Sequence, residues 1–361
     1  MVKSARLFGR RFLNAPATIR QPHCLLCGQS GTALYRQLQD QLYGVSGRWD
    51  LSQCRACKLA WLDPQPADFA ALYAHYYTHG ETAPRNWRAR RRLRSDQISL
   101  VAAKLALGYS VKASLGERFA ARLRNLFRPS REMAAMRLAG LPAPARGAVL
   151  DVGCGSGTLM AALQEVGWEA VGLEADHKAV SAARAKGLAV HHGLMGQVAF
   201  GDKRFAVIIL NHVIEHVADP IAYLRECGRL LAPGGRIVVL TPNLDGFAHR
   251  RFRAAWRGLE IPRHLMIFSP ASLRATGERA GLGMIEAATL VRGARFMYTQ
   301  SVRMRAGHTS IEGGGAAPLT GKVLRLVMSY VFQGLEWLAL LGDPNAGDEI
   351  LMQFSISGKS A

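Results

Sequence analysis

Acid is in short supply in this chain. Its 26 Asp and Glu stand against 46 Lys and Arg, a net charge of +20 over 361 residues. The shortage is local. Residues 1–39 hold six basic residues and no acid, and residues 85–146 hold fifteen against Asp96, Glu117 and Glu132. What remains is nearly neutral and lacks the basic surface of a nucleic-acid-binding domain. Long apolar runs are missing too. Arg10 and Arg11 interrupt the start, which argues against a secretory signal. Between Lys322 and Leu341 an apolar stripe (Leu324, Val327, Met328, Val331, Phe332, Leu335, Leu338) is bracketed by Arg325 and Glu336. Only ten uncharged residues separate those two, too few to cross a bilayer. No internal repeat is evident. With 49% hydrophobic residues, the length suits two or three domains around a sizeable core.

Cysteine is scarce but placed. Cys24-x-x-Cys27 and Cys54-x-x-Cys57 are two matched pairs separated by 26 residues. Each presents two thiolates from one tight turn, and together they can close a tetrahedral Zn2+ site. Two disulfides or two chance pairs are the competing reading, and a reducing compartment favours metal. Cys154 and Cys227 fall in a turn and a helix and read chiefly as packing residues.

The densest stretch runs from Ala148 to Gly157. Ala148, Val149 and Leu150 read as a buried strand, Asp151 as its polar end, and Gly153, Gly155 and Gly157 as a sharp turn into a helix. Glycines there let backbone approach a ligand closely. A second acid, Glu174, ends the next strand (Ala170–Leu173), where an acid commonly takes a ribose hydroxyl pair. Phe205–Leu210 is a further apolar strand, followed by Asn211 and His212. Asp219-Pro220 opens a helix to about Leu231, Pro233-Gly234-Gly235 turns the chain, and Arg236–Thr241 is the next strand.

In this order the residues resemble the class I S-adenosylmethionine (SAM)-dependent methyltransferases. The resemblance implies an α/β fold: a Rossmann-like seven-stranded sheet with helices on both faces, a small N-terminal zinc-ribbon-like module and helical insertions. It implies a sixth strand over Met284–Leu290 after a helix at Pro270–Ala280. The last strand, Glu349–Ser357, is implied to run antiparallel at the sheet edge beside strands five and six. Residues 21–80, with Leu59–Pro66, Leu72, Tyr73, Tyr76 and Tyr77, resemble bacterial methyltransferases that carry an N-terminal zinc-binding module. Trp256–Leu265 and Phe268–Pro270 resemble the loop before the sixth helix in the same group.

The implied division is a basic tail (1–20), a zinc-binding module (21–80), a basic helical segment (81–146) and the SAM-binding core (147–290). A loop and amphipathic helix (291–346) follow as a substrate cap, then the last core strand (347–361). Asp151, Gly153, Cys154, Gly155, Gly157, Glu174 and Asn211 are the implied SAM-binding residues, and Gly193-Leu194 edges the adenine. Cys24, Cys27, Cys54 and Cys57 would hold a structural Zn2+. For a general base the candidates are His216 and His264, then His212, because histidine titrates near neutrality.

His212 to His216 also spells H-x-x-E-H, the inverted zinc-protease motif. That motif needs one helix to present both histidines, and here it starts at a strand end. The expected activity is methyl transfer to oxygen or carbon of a small molecule: a sugar, a glycolipid or polysaccharide intermediate, or a quinone-like acceptor. An RNA methyltransferase and a non-catalytic scaffold are the alternatives. The segment Asn211-His212-Val213 lacks the Pro-Pro-aromatic signature of base amino methylation, and it lacks the Pro-Cys of a cytosine C5 enzyme.

The segments outside the resemblance leave two readings open. Phe119, Leu123, Leu126 and Phe127 recur at helical spacing from Leu115 among Arg118, Arg122, Arg124 and Arg128. This suits an interfacial helix on an anionic membrane, or a helix packed on the core with its arginines in water. The helix at 322–341 is expected to cap the pocket or lie on the sheet, with membrane contact as the alternative. Ala306–Leu319 reads as a flexible loop, a candidate lid. A cytoplasmic protein, touching the inner membrane face at most, is the expectation.

Overall fold

The computed structural model describes residues 16–67, 87–144, 146–307 and 319–356. Most of the basic tail, the Leu72–Tyr77 stretch and nearly all of the expected lid lie outside the described residues, as do the side chains of Arg91, Arg92 and Arg94.

The N-terminal module contains β1 (Thr18–Ile19), β2 (Thr32–Leu38), β3 (Trp49–Gln53), β4 (Ala60–Asp63) and β5 (Gln65–Pro66). Helices α1 (Trp87–Ala106), α2 (Leu115–Leu126) and α3 (Arg128–Ala135) follow. Strands and helices then alternate through β6 (Ala148–Val152), α4 (Thr158–Glu165), β7 (Glu169–Glu174), α5 (His177–Arg184) and β8 (Ala189–His192). The alternation continues with β9 (Phe205–Asn211), α6 (Pro220–Arg229), β10 (Leu231–Pro242), α7 (Phe247–Phe252), β11 (Met266–Ile267), α8 (Pro270–Arg279) and β12 (Leu282–Leu290). Helices α9 (Ala294–Arg305) and α10 (Leu319–Gly342) precede β13 (Glu349–Ile356).

Seven strands form the central sheet in the order β12-β13-β10-β9-β6-β7-β8. The five from β10 to β8 are parallel, and their apolar side chains are buried because helices cover both faces. Local chemistry starts the helices where expected. Asp219 accepts from the Ala222 N–H at 2.9 Å ahead of Pro220, and Ser269 closes a capping box with Ser272 ahead of Pro270.

The last strand is antiparallel and beside strands five and six as expected, but it is not the edge. β13 lies between β10 and β12, so β12 is the edge. Burial explains this: Ile350, Met352 and Phe354 are enclosed, with Phe354 packed over Gly277 of α8, whereas β12 exposes Ile285.

The basic segment folds as helices that cover one sheet face. Val101, Ala102, Ala121, Ala134 and Leu138 share a buried cluster with Val149, Val207 and Val238. Yet the apolar stripe of α2, from Leu115 to Leu126, points outward.

Helix α10 corrects the expectation that its apolar stripe faces the protein. Leu324, Val327, Val331, Leu335 and Leu338 are exposed, and Phe332 alone of that stripe is fully buried. The side packed inward carries Ser329, Gln333 and Glu336, each hydrogen-bonded within the fold. Counting uncharged residues between Arg325 and Glu336 also understated the helix. Val323–Gly342 has a mean hydropathy of 1.3 over its most apolar window, enough to cross a membrane by length and composition. Two charges do not offset so many leucines and valines.

The cysteine module shares a sheet with the core. Strand β11 joins β4, β3 and β2, pairing Met266 with Trp61 and Ile267 with Ala60. Leu26, Leu59 and Trp61 belong to the same buried cluster as Ile214, Leu265 and Phe268. Asp40 of the module forms a solvent-free pair with Arg263, whose guanidinium also lies 4.3 Å from the Tyr43 ring centroid.

Candidate active site

The strand order reverses at β6, with β7 on one side and β9 on the other. Ligands of open α/β sheets bind at the carboxyl ends of strands at such a point. Asp151 lies at that end of β6, and Gly153, Gly155 and Gly157 turn the chain there with φ of +68°, +52° and +80°. A Cβ at Gly153 would sit 2.9 Å from Val213 Cγ2, whereas one at Gly155 would meet open space. The turn is tied to β7: Gly153 N–H donates to Leu173 O at 2.7 Å, and Gly155 N–H donates to Glu174 Oε2 at 2.8 Å. The other Glu174 oxygen accepts from Asp176 N–H, which locks the carboxylate.

Burial, with the charge of Glu174 adding to it, raises Asp151 to about 7. A carboxyl held so close to neutrality favours a cationic neighbour. Cys154 packs toward Gly172, where a Cβ would lie 2.5 Å from its sulfur, and burial pushes its thiol far up. That is the environment of a packing residue. Gly193 is fixed by its N–H donating to Glu174 O at 2.9 Å, and Leu194 beside it is exposed.

Past Asn211, at the end of β9, His212 adopts φ of +56°, a strained value for a side-chain-bearing residue. Its ring bridges two buried carboxylates, Nδ1 to Glu215 Oε1 at 3.1 Å and Nε2 to Glu349 Oε1 at 2.9 Å. Arg292 closes the far side through two bonds to Glu349 of 2.6 and 2.9 Å. Burial alone would lower His212, but the bonds to Glu215 and Glu349 outweigh it and hold the imidazolium up to about 10. A histidine already carrying its proton at neutral pH accepts no other.

His216 and His264 differ from it. Each donates from Nδ1 to a backbone carbonyl, Arg263 O at 3.0 Å and Gly258 O at 2.8 Å, and His264 Nε2 lies 3.7 Å from Glu260 Oε2. Their centroids are 4.7 Å apart. Burial and the neighbouring His216 lower His264 to about 4. Ligand atoms of Glu215, His216 and His264 all lie within 4.8 Å of one another, a donor set that could hold a divalent ion. The three expected bases therefore come together around Glu215.

The loop bearing His264 is held from two sides. Leu265 N–H donates to Glu215 O, and Leu62 N–H of the module donates to Leu265 O, both at 2.9 Å. A cavity of about 320 Å3 between Gln37–Leu42 and Ala254–Ile261 lies in this seam and contains none of the predicted site residues.

Four cysteine sulfurs cluster within 4.8 Å of one another, with Cys24–Cys57, Cys27–Cys54 and Cys27–Cys57 separations of 3.3, 3.4 and 4.0 Å. A tetrahedron with Zn–S bonds of about 2.3 Å has edges of about 3.8 Å. The cluster is compatible with zinc.

Glu215, Glu349 and Arg292 were not anticipated as site residues. Glu215 had a signal, since the H-x-x-E-H string holds two potential ligands and an acid. Glu349 had a weaker one, an acid opening an otherwise apolar strand. Arg292 had none.

Residues 121–287 match a family model described as a methyltransferase domain. The chain is 35% identical over 131 residues to a ubiquinone biosynthesis O-methyltransferase of Cereibacter sphaeroides, covering 34% of this chain and 53% of that protein. A protein of the same name from Roseobacter denitrificans is 37% identical over 109 residues, covering 28% and 44%. The chain thus spans about half the length of these curated relatives. Among solved structures, a SAM-dependent methyltransferase from Thermotoga maritima aligns at 17% identity with a TM-score of 0.40, over 67% of this chain and 96% of that one. Sheet order, glycine turn and family match agree on the class. Residues 121–287 of this chain carry a methyltransferase domain.

Proposed function

We propose that this protein transfers the methyl group of SAM to an oxygen or carbon atom of a small acceptor. The acceptor class is a sugar, a glycolipid or polysaccharide intermediate, or a quinone-like molecule. The named O-methyltransferase relatives favour oxygen and a quinone-like ring. The observation that carries this reading is the Asp151–glycine turn–Glu174 arrangement, with Val213, next to His212, packed against Gly153 of the turn.

SAM supplies a methyl group already activated on a sulfonium. The chain's own task is to align, exclude water and, where the acceptor needs it, take one proton. Asp151 takes the ammonium end of the donor, Glu174 takes the ribose hydroxyls, and Gly155 leaves the clearance between them. Asn211 faces the transferring methyl. His216 and His264 are the candidate bases; His212, held as imidazolium, fixes the segment that presents them. The four cysteines hold Zn2+, which keeps β4 in place and with it the His264 loop.

The test is incubation of the purified protein with methyl-labelled SAM and fractionated host extract. Label in a lipid, quinone or saccharide fraction supports the reading. Label in RNA replaces it with the RNA methyltransferase, and no SAM binding by calorimetry replaces it with a scaffold.

A further inference from the structure

Helix α10 is built inside out. Its buried positions, Ser329, Phe332, Gln333 and Glu336, follow the three- and four-residue spacing of one helical face, and three of the four are polar. Each has a partner in the fold: Arg295 Nε approaches Ser329 Oγ at 3.4 Å, Gln333 donates to Val291 O, and Glu336 accepts from Asp348 N–H at 2.9 Å. The opposite face exposes Leu324, Val327, Val331, Leu335, Leu338 and Leu341, each by about half or more. A helix in water normally has the reverse arrangement, and an apolar patch of this extent marks a surface that meets something apolar.

A second exposed face adjoins it. Phe127, at the end of α2, stacks edge-on against Trp337 of α10 with centroids 5.5 Å apart. On α2, Leu115, Phe119, Arg122 and Leu126 fall on one stripe, with Leu115 and Leu126 exposed by 86% and 80%. Arg122 is exposed between Phe119 and Leu126, and Lys112 and Arg131 are exposed at either end of this segment. Apolar side chains interleaved with exposed cations complement one kind of surface: acyl chains beneath anionic headgroups.

From this we propose that α2 and α10 together dock the protein onto an anionic lipid bilayer, with α10 lying in the plane of the interface. Crossing is the poorer arrangement. It would pull Ser329, Gln333 and Glu336 off their partners and place Arg325 and Glu336 in hydrocarbon. Lying flat keeps every buried bond and wets only the apolar side with lipid. Lys112, Arg122 and Arg131 then reach the headgroups, and Phe119 and Leu126 sit below them.

The full chain is sedimented with vesicles of phosphatidylcholine alone and of phosphatidylcholine mixed equally with phosphatidylglycerol. Binding to the mixed vesicles is expected to be at least about tenfold stronger, and to weaken with salt. The double variant Val327→Glu, Val331→Glu is expected to lose vesicle binding while keeping its SAM affinity. Arg122→Glu is expected to lose only the preference for anionic lipid. Three results overturn the proposal: no vesicle binding, equal binding by the double variant, or a dimer in solution that the double variant dissolves. The last assigns the face to a second copy of this chain. SAM affinity reads the active site separately, so a failure here leaves the proposed methyl transfer standing.

Discussion

Asp40 and Arg263 lie 223 positions apart and share two hydrogen bonds of 2.9 and 3.0 Å with neither side chain exposed to solvent. The pair fastens the cysteine module to the loop that carries His264. Asp40→Ala leaves a guanidinium buried beside Glu260 alone. A loss of about 3–5 kcal/mol in urea unfolding is expected. Adding Arg263→Met should restore part of it, since a buried apolar side chain lacks the uncompensated charge.

Asp151 is expected to set the pH response of donor binding. It must lose its proton to hold a cation, and burial has raised it to about 7. SAM affinity is therefore expected to tighten as pH rises from about 6 to about 8. Asp151→Asn should weaken binding by about 10- to 100-fold and flatten that dependence, as titration calorimetry would report.

His212 makes the opposite contribution, to stability. Its pKa in the folded state, about 10, lies above the ordinary value of 6.5. Its stabilisation is complete below pH 6.5 and is lost as pH rises through the window up to about 10. The melting temperature of the native protein should fall more steeply across that window than that of His212→Gln. Parallel curves would show that the Glu215 and Glu349 contacts do not form in solution.

Metal analysis should find about one zinc per chain, lost in Cys54→Ser. Because β4 pairs with β11 just beyond His264, this variant should lose kcat more than SAM affinity. A second equivalent that survives Cys54→Ser but disappears in His264→Ala would assign an ion to Glu215, His216 and His264.

The parts legible in the sequence are those fixed by backbone. Gly153 and Gly157 tolerate no Cβ where they stand, Asp219-Pro220 can only begin a helix, and Phe205–Leu210 can only be a covered strand. The same logic marked Asp151 and Glu174, since each lies at the carboxyl end of a strand. Contacts across long chain distances were not legible. Nothing local to His212 points to Glu349, 137 residues on, or to Arg292 behind it. Helix α10 misled for another reason. Periodicity shows that a helix has two faces but not which one turns inward, and the usual assumption placed Val327 and Leu335 inside when Gln333 and Glu336 are there. The antiparallel sense of β13 followed from the resemblance, but its interior position depended on packing against α8.

The backbone bonds from Leu62 to Leu265 and from Leu265 to Glu215 have a practical result for anyone trimming this chain. A fragment beginning near residue 147 would look like a self-sufficient catalytic unit. It would leave Met266 and Ile267 as a bare strand edge, strip Arg263 of Asp40, and release one end of the segment that carries His264. Such a truncation should aggregate or turn over poorly, and its failure would misleadingly be blamed on a missing substrate.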